Sequence, residues 1–307
     1  MTRTLGPGDG EWPARLMELG PHAAPIQLFA RGAVLDPSRP AVAVVGTRRP
    51  TGAGVEAARA ISGALAEAGW VVVSGLAIGV DAAAHRAALE AGGRTVAVLG
   101  CGLDVDYPRA NMGLKTAIAA SGTLLSEYPA GTPPIRHNFP LRNRIIAGLS
   151  LGVVVVEGSV RSGALVTARL ALDANRSVYA VPGSSRNPMA AGPNELIRTA
   201  RAALVTSAAH VFEDLAPALA WSPDERASPG RAPACTDEEA GVLRALDDAP
   251  LAADHLAEAL GLAPGRLGVL LSLLEVKGWA VRMSGGYALT GAGARALART
   301  GTGGDGD

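Results

Sequence analysis

Short, continuous runs of apolar and β-branched residues alternate along this chain with alanine-rich stretches of helical spacing. Six such runs are present: 42–45, 71–73, 95–99, 123–125, 153–156 and 178–181. Alanine-rich stretches between them include residues 54–69 and 81–92. Continuously apolar strands are typical of a parallel sheet that is covered by helices on both faces. With right-handed crossovers, the pattern predicts a doubly wound, mainly parallel α/β sheet.

The composition and the hydrophobic periodicity of the sequence change after residue 215. Residues 216–235 are rich in proline and lack periodicity, which predicts a linker. Helical patterns at 238–246, 252–260 and 264–277 precede two predicted strands that turn at Gly285 and Gly286. That order is typical of a small C-terminal winged helix. The predicted organisation is a short N-terminal extension over 1–38 with one helix near 13–19, a sheet domain over 39–215, the linker, a winged helix over 236–291 and a disordered tail over 292–307.

Several protein classes are disfavoured by composition. The chain has 28 basic and 28 acidic residues, and its two cysteines, Cys101 and Cys235, are too few for a disulfide framework or a four-ligand zinc site. No apolar stretch is long enough for a membrane span, and the start lacks the apolar region of a signal peptide. We expect a cytoplasmic protein with no metal, no membrane association and, because no G-x-G-x-x-G or Walker A pattern occurs, no nucleotide cofactor.

Charge is unevenly distributed. Residues 136–201 hold nine arginines against three carboxylates, whereas residues 224–307 hold eight basic and twelve acidic groups. We therefore expect an anionic ligand to bind the second half of the sheet domain rather than the winged helix.

Two glycine-containing turns follow predicted strands. Gly46 and Thr47 precede Arg48 at the end of the first run, and Ser74, Gly75 and Gly79 follow the second. Backbone N–H groups at a helix N-terminus favour anions, and glycine permits their close approach. Arg48 adds a planar guanidinium that suits phosphate. These turns are predicted phosphate contacts, with solvated loops as the alternative.

The densest cluster lies between residues 136 and 146. It combines arginines, asparagines and one aromatic ring, a composition suited to single-stranded nucleic acid, where stacking and phosphate contacts act together. Its candidate binding residues are Arg136, Phe139, Arg142, Asn143 and Arg144. After the fifth run, Ser162 and Thr167 are further candidate phosphate donors, although an N-cap serine without a ligand explains Ser162 equally well.

Asp81 and His85 are spaced for one helix face, so a general-base pair is conceivable there. A helix cap with a structural hydrogen bond is the favoured interpretation.

The motifs SGLAIGVD with His85, FPLRNRII, SGALVT, VPG and GPNELI, in this order, resemble the DprA/Smf DNA-processing family. The resemblance implies an extended Rossmann-like domain that binds single-stranded DNA, a C-terminal winged helix, a homodimer, and loading of RecA onto incoming strands in natural transformation. It places Arg48, Arg136 and Phe139 at DNA-contacting positions, with Arg142 and Arg144 in the same pocket.

Two other functions are conceivable for this sequence. A nucleotide-processing enzyme that cleaves a nucleoside monophosphate at its glycosidic bond needs a positioned carboxylate, for which Asp81, Glu127 and Glu157 are the candidates. A transcription regulator would read DNA through the winged helix, but that region is acidic and its third helix carries mostly leucine and valine, so we expect a packing or interaction module instead. We predict a non-catalytic single-strand DNA-binding protein.

Overall fold

The strands of the sheet domain all join one nine-stranded sheet in a computed structural model of the chain. The structure describes residues 1–216, 235–246, 251–277, 279–283, 286–290 and 297. The chain forms two compact units, Met1–Gly230 and Arg231–Asp307. The predicted linker and tail fall almost wholly outside the described residues.

The sheet has the order β1-β2-β6-β5-β4-β3-β7-β8-β9. Its strands are β1 Thr2–Leu5, β2 Leu28–Gly32, β3 Ala41–Val45, β4 Val71–Ser74, β5 Thr95–Leu99, β6 Thr123–Ser126, β7 Gly152–Val155, β8 Ser177–Ala180 and β9 Ala203–Leu204. Strands β3 to β9 pair in parallel, whereas β2 pairs antiparallel with β6 and with β1. The doubly wound, mainly parallel sheet is confirmed, and each of the six predicted runs forms a strand.

Helices cover both faces of the sheet. They are α1 Gly52–Glu67, α2 Val80–Glu90, α3 Met112–Ser121, α4 Asn138–Leu149, α5 Gly163–Asp173, α6 Ala191–Arg198 and α7 Ala208–Leu215. Alternate strand residues point to opposite faces, so Val42 and Val44 pack in the core cluster that also holds residues of α1, α2 and α7. Ala43 and Val45 pack in the other, with residues of α4 and α5. Burial on both faces therefore explains why the strands are apolar without interruption.

The first 38 residues belong to this sheet domain rather than to a separate extension. They supply β1, β2 and a 3-10 helix over Ala14–Leu19 whose Leu16 is fully buried. These two strands are not evident from the sequence, because they mix buried and exposed positions over only four and five residues. A short alternating run is a much weaker signal than a continuous apolar one.

The second unit contains α8 Asp237–Ala245, α9 Ala253–Leu260, α10 Pro264–Val276 and the antiparallel strands β10 Ala280–Met283 and β11 Gly286–Leu289. Thr236 and Glu239 form a capping box at α8. Leu243, Leu256 and Leu274 are fully buried in its core. Met283 pairs with Gly286, so Gly286 is the first residue of β11 rather than part of the turn.

Within the described part of the chain, no single helix is long and apolar enough to cross a membrane; only α9 and α10 together reach that length and composition, across a bend of 112°.

Candidate nucleic-acid interface

Exposed arginines follow the carboxyl ends of five parallel strands. They lie in the segments after β3, β5, β6, β7 and β8, at the edge where ligands bind in sheets of this type. The six residues are Arg48, Arg49, Arg109, Arg136, Arg161 and Arg186. Among the described residues, none of the six forms an ion pair. We call this set the carboxyl-edge arginines.

Carboxylates at the same edge are already engaged. Glu127 pairs with Arg144 at 2.7 Å, and Asp106 pairs with Lys115 at 3.3 Å. Asp104 accepts the Gly131 N–H at 2.9 Å. The described part of this edge therefore presents an excess of positive charge.

The two glycine turns pack directly against each other. A Cβ on Gly46 would lie 2.5 Å from the Val80 side chain, and one on Gly79 would lie 2.4 Å from the Thr47 carbonyl oxygen. Gly79 also has a φ of +88°, a conformation that other residues rarely adopt. This contact orders the loop that carries Arg48, whose side chain stays exposed. The turns thus position an arginine, while Ser74 is buried and donates to the Val44 carbonyl at 2.7 Å.

A cavity of about 70 Å³ opens beside Phe139. Its lining includes Arg48, Leu99, Tyr107 and Arg142. The half-buried Phe139 ring lies 5.4 Å from the Tyr107 ring, and the Arg48 guanidinium carbon lies 5.9 Å from the Phe139 ring centroid. That distance is within cation–π range. Two aromatic rings and a guanidinium therefore meet at one opening, as stacking of a base requires.

Arg142 forms the floor of this cavity rather than its rim. It is 5% exposed, and its Nη2 donates to the Gly75 carbonyl oxygen at 3.1 Å. A Cβ on Gly75 would lie 1.7 Å from Arg142 Nη1, so a side chain at this position would force the guanidinium to move. Burial lowers the pKa of Arg142 to about 10, and the positive charge of Arg48 adds to the shift. We assign Arg142 a positioning role beneath Arg48 and Phe139.

Asp81 and His85 do not bond to each other. Asp81 Oδ2 accepts from the backbone N–H groups of Gly75, at 3.1 Å, and Ala77, at 3.4 Å. Burial raises the pKa of Asp81, against the opposing effect of Arg142. His85 Nδ1 lies 2.6 Å from Thr95 Oγ1, and burial lowers the pKa of His85 to about 3. The two residues hold the loop and the helix in place, which agrees with the structural interpretation.

The remaining candidates differ in accessibility. Arg136 is exposed and Arg144 is held by Glu127, while Asn143 Nδ2 contacts the Gly163 carbonyl at 3.4 Å at the start of α5. Ser162 is the N-cap residue of α5, and its buried Oγ has no hydrogen-bond partner among the described residues. Thr167 is 2% exposed and donates to the Gly163 carbonyl at 3.3 Å. Its hydroxyl faces the helix backbone, so Thr167 is not accessible to a ligand.

Glu157 occupies the position where a dinucleotide-binding sheet holds phosphate. Strand order reverses between β3 and β7, and α1 begins there. The Glu157 carboxylate accepts from Thr51 N at 2.9 Å, Thr51 Oγ1 at 2.7 Å and Asn187 Nδ2 at 2.9 Å. A Cβ on Gly54 would lie 2.5 Å from it. The chain's own carboxylate therefore fills the anion site at the α1 N-terminus.

Five residues of this candidate interface are not among those predicted from the sequence: Arg49, Tyr107, Arg109, Arg161 and Arg186. Tyr107 lies in an irregular loop whose contact with Phe139 is tertiary, so no local pattern could reveal it. Arg49, Arg161 and Arg186 could have been found, because each lies in the loop directly after a predicted strand.

The chain matches two protein-family models, DNA recombination-mediator protein A over residues 3–216 and the DprA winged helix domain over residues 222–286. Protein Smf of Escherichia coli is 38% identical over 288 residues, which is 92% of this chain and 76% of that protein.

Two solved structures are similar. DNA processing protein A of Streptococcus pneumoniae has a TM-score of 0.65 at 42% identity, over 69% of this chain and 74% of that one. DNA processing protein A of Helicobacter pylori, described for its single-stranded DNA binding mode, has a TM-score of 0.64 at 30% identity, over 71% of this chain and 97% of that one. The chain belongs to the DprA/Smf family of DNA-processing proteins.

Proposed function

We propose that this protein binds single-stranded DNA along the carboxyl edge of its sheet. The observation that carries the proposal is the opening at Phe139, where an accessible ring is flanked by Arg48 at 5.9 Å and lies among the carboxyl-edge arginines. Phosphates would contact Arg48 and Arg136 while a base stacks on Phe139. Arg144 would add charge if the strand displaces Glu127.

A single strand fits this site better than a duplex. The rings of Phe139 and Tyr107 offer stacking to an unpaired base, which a duplex base pair cannot supply without being opened. The second unit does not compensate: α10 exposes Val269 and Leu273, and its Arg266 is paired with Glu238. Base edges in a major groove are normally read by arginine, asparagine or glutamine. The Helicobacter pylori relative, which binds single-stranded DNA, supports the same interpretation.

A binding role is favoured over the nucleotide-processing alternative because all three candidate carboxylates are engaged. Asp81 is buried against backbone N–H groups, Glu127 is paired with Arg144, and Glu157 accepts two hydrogen bonds from Thr51, the N-cap residue of α1. A hydrolase of that kind needs one carboxylate free to activate water or the leaving sugar. We therefore propose a protein that is not an enzyme.

The proposed cellular role follows from family membership. A recombination mediator delivers single strands to a recombinase, so we propose that this protein protects incoming single-stranded DNA and promotes RecA loading during transformation and recombination. We further propose that it acts as a cytoplasmic homodimer. Pull-down of purified RecA with and without a bound oligonucleotide tests the first statement, and light scattering tests the dimer.

Fluorescence anisotropy with labelled oligothymidine and a matched duplex tests the binding proposal. We expect much tighter binding to the single strand. Phe139→Ala should weaken it by about 1–3 kcal/mol, roughly 5- to 150-fold, because one stacked base is lost. Phe212→Ala is the control, since Phe212 packs edge-on against Trp70 at 5.0 Å, away from the interface. Equal affinity for the duplex, or unchanged affinity in a folded Phe139→Ala variant, would refute the proposal.

A further inference from the structure

A second and larger cavity, about 230 Å³, lies at the opposite edge of the same sheet. Its lining includes Ala41, Val71, Thr95 and Thr123, the first residues of β3, β4, β5 and β6. The cavity therefore lies at the amino ends of the parallel strands, whereas Arg48 and Phe139 lie at their carboxyl ends. The 3-10 helix Ala14–Leu19 and the segment 33–37 close it from outside.

One wall of this cavity is continuous with the hydrophobic core. Val71, Val73, Val96 and Leu149 line it, and all four belong to the core cluster on the face covered by α4. Protein interiors are close-packed, with few voids larger than a water molecule. A gap of this size beside packed valines is the shape of a binding site for an apolar group.

The other wall carries excess positive charge. Arg15, Arg39 and Arg94 line the cavity, together with two carboxylates. Both carboxylates already have partners: Asp36 pairs with Arg39 at 3.3 Å, and Glu18 pairs with the buried Arg176 at 2.5 Å.

Arg15 and Arg94 are the lining arginines that no carboxylate holds. Arg94 makes only a long contact, 3.4 Å, to the Val34 carbonyl oxygen, and neither it nor Arg15 has an ion pair in the part of the chain that the structure describes. Burial lowers the pKa of Arg15 and the nearby Arg176 adds to that effect, against the opposing attraction of Glu18. An anion bound beside Arg15 would offset the burial of its guanidinium and its repulsion from Arg176.

We infer that this cavity binds a small organic anion, a carboxylate with a short apolar body, whose head contacts Arg15 and Arg94 and whose body packs on Val71, Val73 and Val96. The inference is independent of the nucleic-acid proposal, because the two sites share no lining residue.

Isothermal titration of the full chain with octanoate tests the inference, with octanol and inorganic phosphate as probes that each lack one half of the ligand. We expect one saturable octanoate site per chain and much weaker binding of both other probes. Arg15→Gln combined with Arg94→Gln should raise the octanoate Kd by about tenfold or more, as expected for loss of charged hydrogen bonds. Ala33→Leu should block the site by filling it, since Ala33 lines the cavity.

Both variants are checked for folding by their thermal midpoints. Arg59→Gln with Arg86→Gln is the matched control, because both arginines are exposed on helices away from the cavity, and it should leave octanoate binding unchanged. Absence of octanoate binding, equal binding of octanol, or full binding by the folded Ala33→Leu variant would overturn the inference.

Discussion

Removing the positive charges of Arg161 and Arg186, which follow β7 and β8, should change the salt dependence of single-stranded DNA binding by a calculable amount. From β6 to β8 the edge spans five strand spacings, about 24 Å. If all six carboxyl-edge arginines contact phosphates, log Kobs against log salt has a slope of about −4, at about 0.7 per contact on a single strand. Arg161→Gln with Arg186→Gln should reduce the slope to about −3.

The same two slopes predict how far the affinity for single-stranded DNA falls as the salt concentration rises. Between about 50 and 200 mM salt, the affinity of the unmodified protein for oligothymidine should fall roughly 300-fold, and that of the double variant roughly 50-fold. Fluorescence anisotropy across a salt series measures both slopes. Arg86→Gln with Arg169→Gln removes the same charge from exposed positions within α2 and α5 and should leave the slope at its original value. If both double variants change the slope equally, the carboxyl edge is not the path of the strand.

Three other changes test the surroundings of the site. Gly75→Ala should weaken DNA binding and lower the thermal midpoint, because its Cβ displaces Arg142, whereas Gly113→Ala, with open space around it, should do neither. Burial gives His85 a pKa of about 3 in the folded protein, against about 6.5 in the unfolded chain, so its contribution to stability is complete above about pH 6.5 and is lost as pH falls. Urea unfolding should show the free energy of unfolding decreasing by about 1.4 kcal/mol per pH unit below about pH 6.5. His85→Gln should remove this pH dependence. Glu157→Ser should destabilise the fold by about 3 kcal/mol through its unsatisfied donors, and inorganic phosphate should restore stability to this variant but not to the unmodified protein. A phosphate response in both proteins would contradict the assignment of Glu157.

The parallel part of the sheet was predictable because each strand is buried on both faces and therefore apolar without interruption. The two-residue strand β9 and the partly exposed strands β1 and β2 carry too little pattern to be recognised. Of the two glycines predicted to form the turn of the C-terminal hairpin, Gly286 lies in β11 and pairs with Met283, and Gly285 lies outside the described residues.

The residue types of the candidate site were predictable from the sequence, but the burial of each side chain was not. Arg136, Arg142 and Arg144 look alike in sequence, yet one is exposed, one is buried on Gly75 and one is paired with Glu127. Arg136 precedes α4, whereas Arg142 and Arg144 lie on different sides of that helix. The partners of Arg142 and Arg144 lie far along the chain. Glu157 is a plausible catalytic carboxylate in the sequence alone, because a sequence does not show which donors surround it.

The N-terminal strands β1 and β2 protect one edge of the sheet from pairing with another chain. β2 covers β6, whose backbone would otherwise be an exposed edge available to another chain, and the polar strand β1, with Thr2, Arg3 and Thr4, becomes the outermost strand. The Arg3 guanidinium holds β1 in place by donating hydrogen bonds to the carbonyl oxygens of Gly32, at 2.9 Å, and Ala33, at 3.1 Å. A variant shortened to begin at residue 39 would expose the β6 edge and would also lose Leu16 and Leu28 from the core cluster that includes residues of α4, so we expect it to aggregate.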